Sequence, residues 1–220
     1  MQLGAILIVF FDAEESWIQD TIDHIADLMM KRYNKERVVV YNTFQMYRHD
    51  RLKFLTKSYD KAQANGYLLG AKLVRGAYME KERDRATERG YKSPICENKA
   101  ATDKNFNETL TYILNHLEDI SLFIGTHNEE SCYLAIKLMD EMKIDKRDNR
   151  VWFGQLYGMS DHISYNLAAK GYNVAKYIPF GPVKDVMPYL IRRAEENTSV
   201  AGQTSRELDL LKKAKKRRQL

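Results

Sequence analysis

Apolar and polar positions along the chain fall into a repeating two-part pattern. An apolar run rich in β-branched residues ends in polar or glycine residues, and a stretch with helical spacing follows. The apolar runs cover 5–11, 37–41, 67–74, 121–124, 151–153 and 174–178. The helical stretches cover 14–31, the region around 52–64, then 99–117, 130–142, 161–170 and 181–197. No two runs are adjacent, and strands that alternate with helices indicate a parallel sheet under helical cover. Polar residues gather where each strand ends, which is where sites form in both barrels and open parallel sheets. An open nucleotide-binding sheet would show an early glycine-rich phosphate turn, and the chain has neither G-x-G-x-x-G nor G-x-x-x-x-G-K. The pattern gives six βα units in an α/β fold, and the missing phosphate turn favours a barrel over an open sheet.

Two helices have informative faces. In the first, Trp17, Ile18, Ile22, Ile25, Leu28 and Met29 form the apolar stripe expected to face the core. In the last, Tyr189, Arg192, Arg193 and Glu196 follow i, i+3, i+4, i+7 spacing, and Met187, Leu190, Ile191 and Ala194 lie opposite. The apolar side is expected to pack on the core. Taken alone, the polar side reads as a solvated face, although paired guanidiniums also fit a carboxylate or a phosphate. One connection is long: residues 79–98 carry a charged half with helical character and then turn chemistry at 90–94. An excursion of that length at the site end of a strand suits a lid or binding loop.

Composition is that of a globular domain: 220 residues, 44% hydrophobic and 30% charged. The net charge of +5 is uneven, because residues 212–218, KKAKKRR, carry six positive charges. The rest is close to neutral. No aromatics interleave with the basic run, so nucleic-acid binding is not expected. Cys96 and Cys132 offer no disulfide framework and no metal-ligand pattern, and no metal is expected. The apolar opening is too short to span a membrane and lacks a basic n-region.

Several residues could carry chemistry. Asp12 closes the first run, where a helix N-cap is the simpler reading. Gln45 is a neutral amide after the second run. Thr126-His127-Asn128 closes the fourth, and the histidine there suits a ligand, a base or a satisfied core group. Alternation puts Lys72 and Val74 on one side of the third strand and Leu73 and Arg75 on the other. A lysine in an apolar run is costly unless paired, and Gly76 would allow close backbone approach.

KLVRGAY, GTHN, FGQLYGM and YLIRRAEEN, in this order and joined by FDAEE and YIPFGP, resemble the catalytic barrel of proline dehydrogenases, the FAD enzymes that oxidise L-proline. The similarity runs from about Phe11 to about Ser205. The resemblance implies roles. Asp12 matches the active-site aspartate, and Lys72 sits near flavin N5, so both are assigned to catalysis. Gln45, Lys72, Arg75, Gly76, Ala77, Thr126, His127, Asn128 and Gln155 are assigned to FAD. Tyr177 and Tyr189 would close over the proline ring, Arg192 and Arg193 would clamp its carboxylate, and Glu196 would be their partner. Lys72 and Arg75 stand in the reverse order to many bacterial members, a pattern similar to the eukaryotic-type branch. The family's barrel also begins with a strand bearing a substrate lysine and a second strand after it, whereas Asp12 matches about the third. The resemblance therefore implies a parallel (β/α)8 barrel of the TIM type, incomplete with about six βα units present, N-terminally truncated over 1–205 and followed by a basic tail over 206–220.

The implied reaction is hydride transfer from proline to flavin, giving Δ1-pyrroline-5-carboxylate, with electrons passed to a quinone at a membrane surface. The implied location is cytoplasmic or peripheral to the inner membrane in a bacterium and mitochondrial in a eukaryote; oligomers are compatible. The alternative is a non-catalytic barrel fragment that at most binds flavin or a partner.

Overall fold

Six strands lie side by side in the order in which they occur along the chain, every pair parallel. The computed structural model describes residues 7–199 together with 212, 213 and 215–217. Its elements are β1 (Val9–Phe11), α1 (Ser16–Tyr33), β2 (Val40–Gln45), α2 (Arg51–Asn65), β3 (Leu69–Val74), α3 (Met79–Arg89) and α4 (Lys99–Leu114). Then follow β4 (Ile120–Gly125), α5 (Glu129–Glu141), β5 (Val151–Leu156), α6 (Asp161–Ala169), β6 (Val174–Tyr177) and α7 (Val183–Ser199).

Sequential order without reversal separates this sheet from a doubly wound one, where strand order turns back at a switch point. The sheet also curls. Phe10 on β1 and Phe123 on β4 are three strands apart, about 14 Å in a flat sheet, yet their ring centroids are 4.9 Å apart. The architecture is thus the wall of a parallel α/β barrel, six strands of the eight that close one. Among the described residues β1 and β6 remain edges.

Register fixes the two faces. Thr43 pairs with Lys72, Lys72 with Phe123, and Phe123 with Trp152, so these four share the concave side. Their neighbours Phe44, Leu73, Leu122 and Phe153 point the other way and are fully buried beneath the helices. There they join Leu55 of α2, Phe106, Leu110 and Ile113 of α4, and Ala135 and Met139 of α5 in one core. Gly154 follows on the concave side, where a Cβ would overlap the Phe123 ring. Cys96 and Cys132 are free and buried, and burial pushes the Cys132 thiol up to about 12.

Three expectations are corrected. First, β2 runs on to Gln45 instead of ending at Tyr41. Its polar residues are tolerated because they have partners: Asn42 Nδ2 donates to Asp23 Oδ1 at 2.8 Å, and Gln45 Nε2 donates to the Glu14 carbonyl at 2.8 Å.

Second, α1 is turned over. Its buried row is Gln19, Asp23, Ala26 and Met30, while Trp17, Ile18, Ile25 and Leu28 are exposed. The cause is a buried polar cluster. Asp23 accepts from Gln19 Nε2 at 2.9 Å and pairs with the equally buried Arg51 at 2.7 Å. Asp50 adds a second carboxylate to Arg51 at 3.3 Å. A buried charge is far more costly alone than paired, so this row must face inward. Cations of α3 lie beside the Trp17 ring, with the Arg85 guanidinium 4.2 Å and Lys81 Nζ 5.5 Å from its centroid.

Third, Met187, Leu190 and Ile191 of α7 are exposed, because no described element packs on that face. The charged half of the long connection does form a helix, α3. The domain boundary at 205/206 lies outside the described residues, and the described tail positions are exposed.

Asp23→Ala should leave the Arg51 guanidinium buried with only its poorer partner. The expected loss is about 3–5 kcal/mol of unfolding free energy, read from urea denaturation. A loss below about 1 kcal/mol, the size of a surface pair, would contradict the buried role.

Candidate active site

Strand alternation brings Asp12, Thr43 and Lys72 together on the concave face at the C-terminal end of the wall. Lys72 Nζ forms an ion pair with Asp12 Oδ1, and Thr43 Oγ1 lies 3.5 Å from the same oxygen. Lys72 Nζ also sits 5.5 Å from the centre of the Phe10 ring. Pairing is what makes this lysine tolerable in an apolar strand. The Asp12 side chain is half exposed and the Lys72 side chain 16% exposed, so the pair stays accessible from the mouth. Asp12 is not the N-cap of α1, which starts four residues later.

The cap comes from elsewhere. Glu82 of α3 is fully buried and accepts from Ser16 N at 2.5 Å and from Ser16 Oγ at 2.6 Å. It places a carboxylate at the positive end of α1. Tyr78 OH donates to Glu14 Oε2 at 2.6 Å, and Lys81 pairs with Glu15. The 12–16 turn is therefore held by β2, β3 and α3 together. Burial, with the Glu82 charge beside it, pushes the Tyr47 phenol well above its ordinary value and keeps it neutral.

Gln45 is the most telling of the assigned residues. Its Nε2 is taken by Glu14, but its Oε1 is buried with no hydrogen-bond partner among the described residues. An unpaired buried acceptor at a strand end is a place for a donor from a ligand. A flavin ring carries such an N–H, and Lys72 would add positive charge beside it; the residues present fit FAD. Gly76 has a structural ground of its own. Its φ of +126° suits glycine, and the Tyr47 ring would lie 2.6 Å from an added Cβ. What approaches this backbone closely is a tyrosine of the protein. Ala77 follows in the β3–α3 connection.

Thr126 is the hub of a second cluster. Its Oγ1 accepts from Arg75 Nη1 at 2.6 Å and from Asn128 N at 3.1 Å, and its carbonyl accepts from Gln155 Nε2 at 3.2 Å. Arg75 and Gln155, both assigned to FAD, have their side chains engaged within the protein. Both lie on the helix side of the sheet, where alternation places them. Gln155 is 2% exposed, and its Oε1 accepts from Ser164 Oγ of α6 at 2.8 Å. Asn128 is the N-cap of α5, accepting from Ser131 N at 3.0 Å. His127 Nδ1 lies 3.0 Å from Ser160 Oγ, and Ser160 itself adopts a left-handed φ of +51°.

At the far edge, Tyr177 and Tyr189 come together with ring centroids 5.7 Å apart. Arg192, Arg193 and Glu196 lie on the same helix, but their side chains are outside the described residues. Among the described residues no group of three His, Cys, Asp or Glu could hold a metal ion. Sequence reasoning missed Glu14, Glu82 and Ser160. Only Ser160 had a signal, the turn chemistry of Gly158-Met159-Ser160 before a helix.

The sequence profile of the proline dehydrogenase family matches residues 4–206. Proline dehydrogenase 1, mitochondrial, of Caenorhabditis elegans is 42% identical over 215 residues, covering 96% of this chain and 35% of that protein. The Homo sapiens protein of the same name is 40% identical, with 96% and 35% covered. The chain thus spans about a third of the curated relatives it matches. Among solved structures, proline utilization A of Bdellovibrio bacteriovorus, inactivated by N-propargylglycine, superposes with a TM-score of 0.81 at 26% identity, covering 88% of this chain and 20% of that one.

Gly76→Ala should force the Tyr47 ring aside and strain the backbone, costing about 1–3 kcal/mol. Chemical denaturation measures it; unchanged stability would show that the close packing of Tyr47 on this backbone does not matter.

Proposed function

The chain belongs to the proline dehydrogenase family, and from that premise we propose that its protein oxidises L-proline to Δ1-pyrroline-5-carboxylate with FAD and passes the electrons to a quinone. One observation carries the reading: the turn that carries the accessible Asp12–Lys72 pair is held by Gln45, whose buried Oε1 has no hydrogen-bond partner among the described residues. A bound flavin supplies the acceptor for the hydride that leaves proline C5.

The chain's own residues supply position and charge. Gln45 offers an acceptor that fixes the plane of the bound ring. Lys72 places a preorganised cation where negative charge accumulates, and such charge is worth most where water is excluded. Asp12 keeps that ammonium oriented. Arg192 and Arg193 hold the substrate carboxylate through planar forks. Tyr177 and Tyr189, already in contact, close on the pyrrolidine ring and keep water out. Proline entering as the free amine needs no strong base. The quinone is a lipid-soluble acceptor, so exchange takes place at a membrane surface; no helix among the described residues is long and apolar enough to cross one.

One observation favours a second reading for the 220-residue polypeptide taken alone. Ile18, Ile25 and Leu28 of α1 and Met187, Leu190 and Ile191 of α7 are exposed, and apolar faces of this kind mark contact surfaces. By itself the polypeptide would then bind flavin or a partner without turnover.

The test is anaerobic addition of L-proline to the FAD-loaded protein. Bleaching of the flavin with one pyrroline-5-carboxylate formed per flavin is expected; an unbleached flavin removes the proposal. Arg193→Lys keeps the charge and loses the fork, so proline binding should weaken by about 1.5–3 kcal/mol. An unchanged proline affinity takes Arg193 out of the clamp.

A further inference from the structure

We infer that Arg75 is a positioning residue: from the helix side of the sheet it sets the Thr126-His127-Asn128 turn. The inference rests on the reading above that this turn meets the cofactor.

Every described contact of the Arg75 guanidinium is internal. Nε donates to Asp103 Oδ1 at 2.8 Å, and Nη2 lies 2.6 Å from the same oxygen. Nη1 donates to Thr126 Oγ1 at 2.6 Å, and Nη2 donates to Ser131 Oγ at 3.0 Å. Its flat face rests on Phe106, with Cζ 4.5 Å from the ring centroid. Thr126 directly follows β4, Asp103 and Phe106 belong to α4, and Ser131 belongs to α5. One side chain thus ties the end of β3 to three other elements.

The hydrogen bonds form a closed circuit around the histidine. Thr126 Oγ1, held by Arg75, accepts from Asn128 N at 3.1 Å. Asn128 Oδ1 accepts from Ser131 N at 3.0 Å. The Ser131 hydroxyl donates to Asn107 Oδ1 at 2.8 Å and accepts from Arg75. Residues 126 and 128 are fixed on either side of His127, so its backbone has little freedom. The ring is then directed to Ser160 on the next unit. Asp103 anchors the circuit. Burial alone would raise its carboxyl, but hydrogen bonds from Lys99 and Arg75 outweigh that and hold it lowered and charged.

The geometry needs a fork. A planar guanidinium sends separate N–H groups to a carboxylate and two hydroxyls while stacking on an aromatic ring; an ammonium is a point charge with no plane. A merely structural ion pair would lend stability without steering the histidine, and that difference can be measured.

The experiment compares Arg75→Lys, Thr126→Val and the double variant in the complete protein, with Lys137→Ala as a surface control. FAD affinity and unfolding free energy are measured for each. Each single substitution should weaken FAD binding about tenfold, and the double variant should be no weaker than the worse single, as for residues acting through one contact. Lys137→Ala should change nothing. Additive losses, or losses that simply follow unfolding free energy, overturn the inference. A second measurement needs no flavin. In the FAD-free protein, the His127 imidazole nitrogen resonances, assigned with His127→Gln, should move in Arg75→Lys and stay in Lys137→Ala; unmoved resonances in Arg75→Lys also overturn it. If the unsubstituted protein binds no FAD, the proposed function falls, and these resonances still decide whether Arg75 positions the histidine.

Discussion

The register of the six parallel strands decides every contact at the mouth. Thr43, Lys72, Phe123 and Trp152 stand in one row because four strands pair without slip. A shift of one residue would turn each strand over. Lys72 would then lie under the helices and Leu73 in the mouth, with no carboxylate for the first and no core for the second. Asp12 reaches Lys72 because it lies two residues beyond Phe10 and so on the same face. The curl that brings Phe10 against Phe123 gathers the strand ends around one concavity.

Around that row, buried polar pairs set the positions of the elements. Asp23 with Arg51 turns α1 so that its polar row faces β2. Glu82 caps the same helix from α3, and so ties the connection after β3 to the turn that carries Asp12. Arg75 does the equivalent on the helix side for the turn that carries His127. Charged and polar groups removed from water remain only where their partners are complete. The mouth is therefore rigid where these networks close, while Gln45 keeps one acceptor open.

The βα alternation was legible in the sequence because runs with period two and stretches with period 3.6 leave different marks. The absence of a phosphate turn favoured a barrel, the family resemblance supplied its eight-stranded plan, and polar residues at strand ends marked the mouth. The orientation of α1 was not legible. Its apolar stripe is the better helical pattern, and what overrides it is a set of partners, Asn42 and Arg51, distant in sequence. Arg75 was legible in part. Alternation already put it opposite Lys72, yet the motif that contains it suggested a common role. Gln155 is similar, one position beyond the glycine that faces the concavity. For Arg192, Arg193 and Glu196, helical spacing and family resemblance remain the whole basis, because their side chains lie outside the described residues.

The central claim is that the concave row at the strand ends, and not the helix side, receives the flavin. A crystal structure of the protein with FAD bound tests it most directly. The account predicts the ring system on the concave face, against Lys72 and Asp12, with a ring N–H donating to Gln45 Oε1 and with Arg75 still turned to Asp103 and Thr126. A flavin that leaves Gln45 Oε1 unpaired, or that draws the Arg75 guanidinium through to the mouth, would contradict it.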